Sequence, residues 1–318
     1  MVSFQMDQLK TLEAVVDEGT FEAAARALQI TPSAVSQRVK ALEQQVGRIV
    51  VQRSKPIRPT ESGEVLMKLA RQLTQLELEA YSALGLEGAS SGPTVIPLAV
   101  NADSLATWIL PTLARIAEQR DVTFDIRIED QDHSTALLRE GVVVAAITSV
   151  AEPVQGCIVD ALGSMQYRAR ASPRFADRWF PDGLTHDALA HAPMVVFDRK
   201  DDLQARYLRG RSAEGTPPRH FVPASGEFVH AVALGLGWGM LPEIQIGALH
   251  EQGELVDLDP AHPIDLPLFW QQWNLESSLL AQLAGAIRHA ASGLAPTTGA
   301  MPATLPRGPA EPMPTERS

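Results

Sequence analysis

The sequence predicts an α/β protein that begins with an all-α-type winged helix-turn-helix head and continues into two α/β lobes. Capped helical segments follow one another closely within the first 60 residues, and beyond Pro93 β-prone runs alternate with helical ones. The net charge also differs between the head and the rest of the chain. The first 60 residues hold eight basic and six acidic side chains, whereas the 318-residue chain has a formal net charge of -11. The basic surface is therefore confined to one end of the chain.

Three helices are predicted in the head. Apolar residues at helical spacing form a first helix that ends at Gly19. Thr20 can cap a second, short helix, and Thr31 followed by Pro32 starts a third that continues to Gly47. Two helices joined by so tight a turn form a helix-turn-helix, whose second helix can reach base edges or phosphates. The hydrogen-bonding residues on the outward face of this helix are Ser33, Ser36, Gln37, Arg38 and Lys40.

A two-stranded wing is expected after the third helix and completes a DNA-binding domain over residues 1–60. Residues 49–51 are β-prone, and Pro56 and Pro59 interrupt the run. Residues 31–60 hold six Lys or Arg against one acid, Glu43. A solvated loop is the alternative interpretation of this basic run, but its position directly after the recognition helix favours DNA contact by Lys55 and Arg58.

Residues 61–87 are predicted to form a linker helix. Leu66, Leu69, Leu73 and Leu76 recur at steps of three and four, which is the spacing of a heptad seam between two helices. Packing of the helix on its own domain is the alternative. A dimerisation seam is favoured because a head of about 60 residues has little surface for a further long helix to cover. Residues 88–93, rich in glycine and serine, are predicted to be a hinge.

Beyond the hinge, strands and helices alternate over residues 95–147 and predict a parallel α/β sheet. A second set of strands and helices follows, so we expect two α/β lobes with a cleft between them. Residues 94–163 and 265–291 are assigned to lobe 1, and residues 164–264 to lobe 2. Residues 292–318 contain six prolines and predict a disordered tail.

Composition and motifs exclude several classes of protein. The single cysteine, Cys157, allows no intrachain disulfide and fits a reducing compartment. No leader follows Met1 and no apolar run is long enough to cross a bilayer, so we expect a cytoplasmic protein without membrane contact. The glycines of the segment LGLGWGML lack the helix and the acid of a nucleotide site. Neither metal-ligand spacing nor a nucleophile elbow occurs, so we expect no enzyme activity, cofactor or metal.

The sequence resembles the LysR-type transcriptional regulators to about Ala291. The resemblance rests on AAARALQITPSAVSQRVKALEQQVG, on PTESGE after the wing, and on the two α/β lobes that follow. The segments VNADSLATW, FDRKDD and GELVDL are similar to the basic-amino-acid-responsive subgroup called ArgP, LysG or IciA. That subgroup switches on a lysine/arginine exporter gene, and an old label for it is inhibitor of chromosome replication initiation.

The resemblance implies a regulatory domain of periplasmic-binding-protein type, an effector in the interlobe cleft and a homodimer or homotetramer on promoter DNA. RNA polymerase is the further partner expected of such a regulator. Arg53 matches the wing arginine of the family, which contacts the minor groove or phosphate. Pro32 stands where the family usually has Gln, so that base contact is not carried over. The family's Leu-Phe-Glu-Arg is here Val50-Val51-Gln52-Arg53.

An effector site is predicted at the carboxyl ends of the strands and the adjacent helix starts, where ligands of α/β sheets bind. Lysine, arginine or histidine needs an anion-binding end and acids for its cationic groups. We expect Asp103 and Ser104 to hold the head group of the amino acid. One or more of Glu129, Asp130, Asp198 and Glu227 would meet its cationic end. The complete predicted set is Asn101, Asp103, Ser104, Glu129, Asp130, Thr148, Asp198, Ser225 and Glu227.

Carboxylates at helix starts more often act as caps, so each of these acids has a purely structural alternative. The leading hypothesis is an effector-responsive regulator. The second is an effector-independent protein that binds AT-rich DNA and blocks replication initiation. The third is a solute binder without DNA function.

Overall fold

The computed structural model describes residues 3–84, 93–129, 131–211 and 215–296. Four predicted features lie wholly or partly outside these ranges, among them the linker helix 61–87, which is described to residue 84. The hinge 88–93 is described only at Pro93, Asp130 of the effector set is not described, and the tail is described only to residue 296. None of the helices in the described ranges combines the length and the apolar character that crossing a bilayer requires.

The head is a winged helix-turn-helix, as predicted. Its threonine caps act as the sequence indicates, because Thr20 Oγ1 accepts from Ala23 N at 3.1 Å and Thr31 Oγ1 accepts from Ala34 N at 3.2 Å. Its helices are α1 Met6–Asp17, α2 Phe21–Ala27, α3 Pro32–Val46 and α4 Glu61–Ala83. The wing is the antiparallel pair β1 Val51–Gln52 and β2 Arg58–Pro59.

Helix α4 packs partly on its own head, which is the alternative to a dimer seam, and the seam itself stays a prediction. Leu66 is buried in the head core, and Leu69 and Leu73 pack partly against it. The core of the other three helices is open on one side, and α4 covers that side with a face that includes Leu66 and Leu73. Leu76 remains 41% exposed. The four leucines therefore do not form one free seam.

Gly63 allows α4 to begin directly against the wing. The carbonyl oxygen of Val50 accepts from Thr60 N at 3.0 Å, and Gly63 N donates to Thr60 Oγ1 at 3.1 Å. A Cβ on Gly63 would lie 2.0 Å from the Val50 oxygen.

We expect Gly63→Ala to lower the free energy of unfolding by about 3 kcal/mol, since backbone must move to relieve the overlap. Gly47→Ala is the control, because Gly47 has a φ of +73° but a Cβ added there would meet no atom within 4 Å. That change should cost only about 1 kcal/mol of backbone strain. Urea unfolding measures both variants, and equal losses would contradict the steric argument.

Residues 94–296 form the two-lobed part. Its strands are β3 Thr94–Val100, β4 Val122–Ile128, β5 Ala145–Thr148, β6 Cys157–Ala171, β7 Met194–Val196, β8 Arg219–Phe221, β9 Gly239–Pro242, β10 Val256–Asp257 and β11 Ile264–Trp273. Its helices are α5 Ala102–Ser104, α6 Leu110–Gln119, α7 Gln131–Arg139, α8 Pro173–Trp179, α9 His186–His191, α10 Leu203–Gly210, α11 Ser225–Ala233, α12 Glu243–Glu251 and α13 Ser278–Ala290. One π-helical turn, Leu105–Ile109, joins α5 to α6.

The main sheet is mixed: the predicted parallel pairing holds for the strands between residues 94 and 148, and the later strands add antiparallel pairs. Strand β3 is parallel to β4 and β5, but β11 is antiparallel to both β5 and β6. Strands β6 and β11 run in opposite directions from one lobe to the other, which forces antiparallel pairing between them. Their register shifts at Leu268/Phe269, opposite Gly163. The cleft opens beside this double crossover.

The start of the predicted tail is ordered, which differs from the sequence-based expectation. Ala291–Gly293 forms a 3-10 turn. Ala295 then pairs with Ser164 of β6 through two backbone hydrogen bonds of 2.7 and 3.1 Å. The proline-rich composition begins to dominate only after this bridge, so composition placed the boundary too early.

Candidate functional site

A cavity of about 800 Å³ lies between the two lobes. The predicted residues that line it are Asn101, Asp103, Glu129, Asp198 and Ser225. Ser104 lies next to them and is fully buried. Thr148 and Glu227 do not line the cavity. Thr148 is buried in β5 with Oγ1 accepting from Val150 N, and Glu227 is exposed because two residues along a helix from Ser225 is more than half a turn.

Asp103 joins the two lobes across the cavity. Its Oδ2 accepts from the Tyr167 hydroxyl at 2.6 Å, and its Oδ1 accepts from Ser225 Oγ at 2.7 Å. Burial, followed by the charge of Asp103, raises the pKa of Tyr167 far above its ordinary value. The Tyr167 hydroxyl therefore stays protonated and serves as a donor. Asp103 belongs to lobe 1, whereas its two partners lie on β6 and α11. Its carboxylate therefore connects the two lobes by hydrogen bonds.

The acids of lobe 2 are held by backbone groups. Asp198, which lines the cavity, accepts through Oδ1 from Lys200 N at 2.7 Å and from Asp201 N at 2.9 Å. Asp201 accepts from Leu203 N at 3.0 Å and from Phe197 N at 3.1 Å. Burial raises the pKa of Asp201, the nearby charges of Asp198 and Asp103 raise it further, and the two backbone bonds oppose them.

The cavity is rich in negative charge. Five carboxylates and two cationic side chains are present among its described lining residues. The carboxylates are Asp103, Glu129, Asp198, Asp201 and Asp202, and the cations are Lys200 and Arg206. Such a surface attracts a cation more strongly than an anion. No group of three or more His, Cys, Asp or Glu within the described ranges is arranged to hold a metal.

Two buried polar atoms beside the acids have no hydrogen-bond partner among the described residues. They are Asn101 Oδ1 and Ser104 Oγ. Buried polar atoms are nearly always paired in proteins. Asn101 lines the cavity, and Ser104 directly follows Asp103, which also lines it, so these two unpaired atoms indicate a place where a ligand or water supplies the partner. Both residues belong to the set that strand-end reasoning selected.

Sequence reasoning missed Tyr167, Gln245 and Arg206, which also line the cavity. Tyr167 stands in the middle of β6, where no strand end or helix start marks it. Asp201 and Asp202 were visible as part of FDRKDD, directly behind Asp198. Both residues directly precede α10, and a helix start after a strand is the place where a ligand of an α/β sheet is expected. That position could have added them to the predicted set.

The predicted DNA surface is exposed on the head with one exception. Ser33, Ser36, Gln37 and Lys40 are exposed on α3, and Arg53, Lys55 and Arg58 are exposed on the wing. Arg38 instead turns towards α1, since its guanidinium donates to Asp7 Oδ2 at 3.3 Å and to Thr11 Oγ1 at 3.5 Å. Arg38 is therefore partly occupied by its own head.

Comparison with known families accounts for the whole arrangement. Residues 6–64 match the family described as bacterial regulatory helix-turn-helix protein, lysR family, and residues 94–292 match the LysR substrate binding domain. The chain belongs to the LysR family. The predicted resemblance is thereby confirmed, and membership of a family of bacterial regulatory proteins makes this chain a regulator and not an enzyme.

Curated LysR-family relatives of high identity carry the names that the subgroup motifs indicated. The HTH-type transcriptional regulator LysG of Mycobacterium tuberculosis is 46% identical over 297 residues, which cover 92% of this chain and 96% of the relative. The lysine export transcriptional regulatory protein LysG of Corynebacterium glutamicum is 45% identical over 295 residues, covering 91% and 99%. The full-length structure of the latter protein with bound effector Arg has a TM-score of 0.77 at 42% identity, covering 92% and 100%.

Proposed function

We propose that this LysR-family regulator binds promoter DNA through its head, senses lysine or arginine in the interlobe cleft, and controls a gene for export of basic amino acids. The observation that supports the proposal best is the set of five carboxylates around the cavity. A cationic amino acid neutralises that cluster, whereas a neutral or acidic one does not. The export function is supported by the relatives named for lysine export.

The unpaired atoms suggest how an amino acid would lie in the cleft. Its α-ammonium group would replace one hydroxyl donor at Asp103, and its carboxylate would accept from Ser104 Oγ. The side-chain cation would then extend towards Asp198 and Glu129, whose carboxylates face the same cavity. Asp198 is well suited to this role because the backbone bonds to one of its oxygens fix its orientation.

The experiment that tests the proposal is footprinting of the full-length protein across its genome with and without arginine or lysine. We expect protection next to an exporter gene, with an extent that changes when the amino acid is added. Identical footprints in both conditions would remove the effector role. Effector-insensitive protection of AT-rich DNA in general would favour the second hypothesis, an inhibitor of replication initiation.

The same proposal places the protein in the cytoplasm as a homodimer or homotetramer, with RNA polymerase as its partner at the promoter. Two heads related by a two-fold axis can contact two half-sites, and a regulator of this kind works at chromosomal DNA.

The face of α4 that turns away from the head offers an apolar dimer contact. Val65 is 68% exposed and Leu76 is 41% exposed. Eleven residues are close to three helical turns, so the two side chains share a face, and Leu69 lies between them. We propose this revised face as the seam.

We expect Leu76→Glu to weaken self-association roughly 1,000-fold, since a two-fold interface carries each substitution twice and one buried anchor contributes about 2 kcal/mol. Sedimentation velocity over a concentration series measures the change. Leu73→Ala is the matched control: it should lower the melting temperature of the head while leaving self-association nearly intact. Unaltered association of the Leu76 variant would exclude this face.

A further inference from the structure

One side chain of α4 contacts the head and lobe 1 at the same time. Arg71 Nη2 donates to Asp17 Oδ1 of α1 at 2.8 Å, and Arg71 Nη1 donates to the carbonyl oxygen of Gly141 in lobe 1 at 2.9 Å. Its Nε lies 3.6 Å from Glu13 Oε1. Only 16% of the Arg71 side chain is exposed. A guanidinium can make these contacts together because its donors point in several fixed directions.

The backbone at this contact is close-packed. Gly141 has a φ of +72° and ends α7 in a Schellman turn, in which Val142 N donates to Leu137 O at 2.8 Å. A Cβ on Gly141 would lie 2.8 Å from Lys68 Cα. One turn before Arg71, Lys68 Nζ also donates to Gln155 O of lobe 1 at 3.0 Å. Helix α4 and lobe 1 therefore meet backbone to backbone at Gly141.

Helix α7 connects this contact to the effector cleft. Its first residue, Gln131, comes shortly after Ile128 and Glu129, which line the cavity. Its far end is the turn at Gly141. Leu138 is fully buried in the lobe core, so the helix is fixed to lobe 1 and moves with it. A nine-residue helix spans about 13 Å, which is the distance over which a shift at the cleft would be carried to α4.

The contact also contains an opposing interaction. Burial raises the pKa of Glu140, the charge of Glu64 on α4 raises it further, and the charge of Arg139 lowers it, so a carboxylate of α4 repels one at the end of α7. Attraction through Arg71 and Lys68 is thus set against repulsion between carboxylates. A contact balanced in this way can be shifted by a small change in lobe 1.

We propose that Arg71 is a positioning residue that holds the head against lobe 1 and transmits the state of the cleft to DNA binding. An effector changes DNA binding only if it has different affinities for two arrangements of the protein. The arrangement with Arg71 bonded to Gly141 is one of them, and the other lacks this bond. The inference rests on the proposed function, because it requires an effector in the cleft.

The test uses full-length protein carrying Arg71→Met, Arg71→Lys or Gly141→Ala. Arginine affinity is measured by calorimetry, and operator affinity by fluorescence anisotropy with and without saturating arginine. We expect arginine affinity within about threefold of wild type in all three variants. The ratio of operator affinities with and without arginine should fall to within twofold of one. Lysine keeps the charge but cannot reach both acceptors, and alanine at 141 pushes α4 away from the lobe side.

Lys10→Met is the matched control. Lys10 Nζ lies 2.6 Å from Glu77 Oε2 and joins α1 to α4 without contacting lobe 1. In this variant the ratio of operator affinities with and without arginine should equal that of the wild type. The control therefore distinguishes a loss of coupling between cleft and head from a general destabilisation of the head. A wild-type ratio in the Arg71 and Gly141 variants would overturn the inference. Absence of arginine and lysine binding by the wild-type protein would overturn the proposed function instead.

Discussion

Asp103→Ala should weaken arginine binding by about 30-fold or more. Among the described lining residues, Asp103 is the carboxylate whose two oxygens already bond residues of the opposite lobe, at 2.6 and 2.7 Å. Removing the carboxylate takes a negative charge away from the cleft. It also removes the two hydrogen bonds that connect the lobes on either side of the ligand. Loss of one partner of a buried charged pair costs about 2 kcal/mol or more, which corresponds to the stated factor. Calorimetry with arginine measures it.

Asp103→Asn separates the two contributions. The amide oxygen still accepts from the Tyr167 hydroxyl, and the amide nitrogen can donate to Ser225 Oγ. The hydrogen bonds between the lobes are therefore kept while the negative charge is lost. We expect Asn to reduce arginine affinity less than Ala and to leave the melting temperature close to wild type. Ala leaves the buried Tyr167 hydroxyl without its carboxylate acceptor, which costs about 1–3 kcal/mol of stability. Unchanged arginine affinity in both variants would remove Asp103 from the site.

Local signals predicted the head well. The capping threonines and the glycine at the end of α3 act through contacts within four residues, so the sequence alone contains what fixes those helix ends. Strand-end reasoning found Asp103, Glu129 and Asp198 for a similar cause, because the carboxyl end of a strand is visible in the sequence as the residue where an apolar run stops.

Long-range pairing was not predictable in the same way. The antiparallel ladder between β6 and β11 joins segments about 100 residues apart, and no local pattern indicates that both strands cross between lobes. Tyr167 enters the cleft through that crossover. The heptad spacing in α4 is equally ambiguous, since a helix packed on its own domain and a helix packed on a partner show the same period.

The second large effect is expected on the wing. We predict that replacing Arg53, Lys55 and Arg58 together with alanine weakens operator binding by about 100-fold or more in low salt. The three cations are exposed and form no ion pair with another residue in the described part of the head. Each phosphate contact contributes about 0.9 to the slope of log affinity against log salt, so the slope should fall by about three for each head.

Gln37→Ala is the contrasting variant, because Gln37 is exposed on α3 and can bond a base edge. Its loss should reduce discrimination between operator and scrambled DNA by about 1–3 kcal/mol without changing the salt slope. Anisotropy titrations at several salt concentrations, with operator and scrambled duplexes, measure both quantities. If the triple variant kept the wild-type slope, the wing would not contact the phosphate backbone, and the basic charge of residues 31–60 would need another partner. A lowered slope with retained discrimination would assign affinity to the wing and base reading to α3.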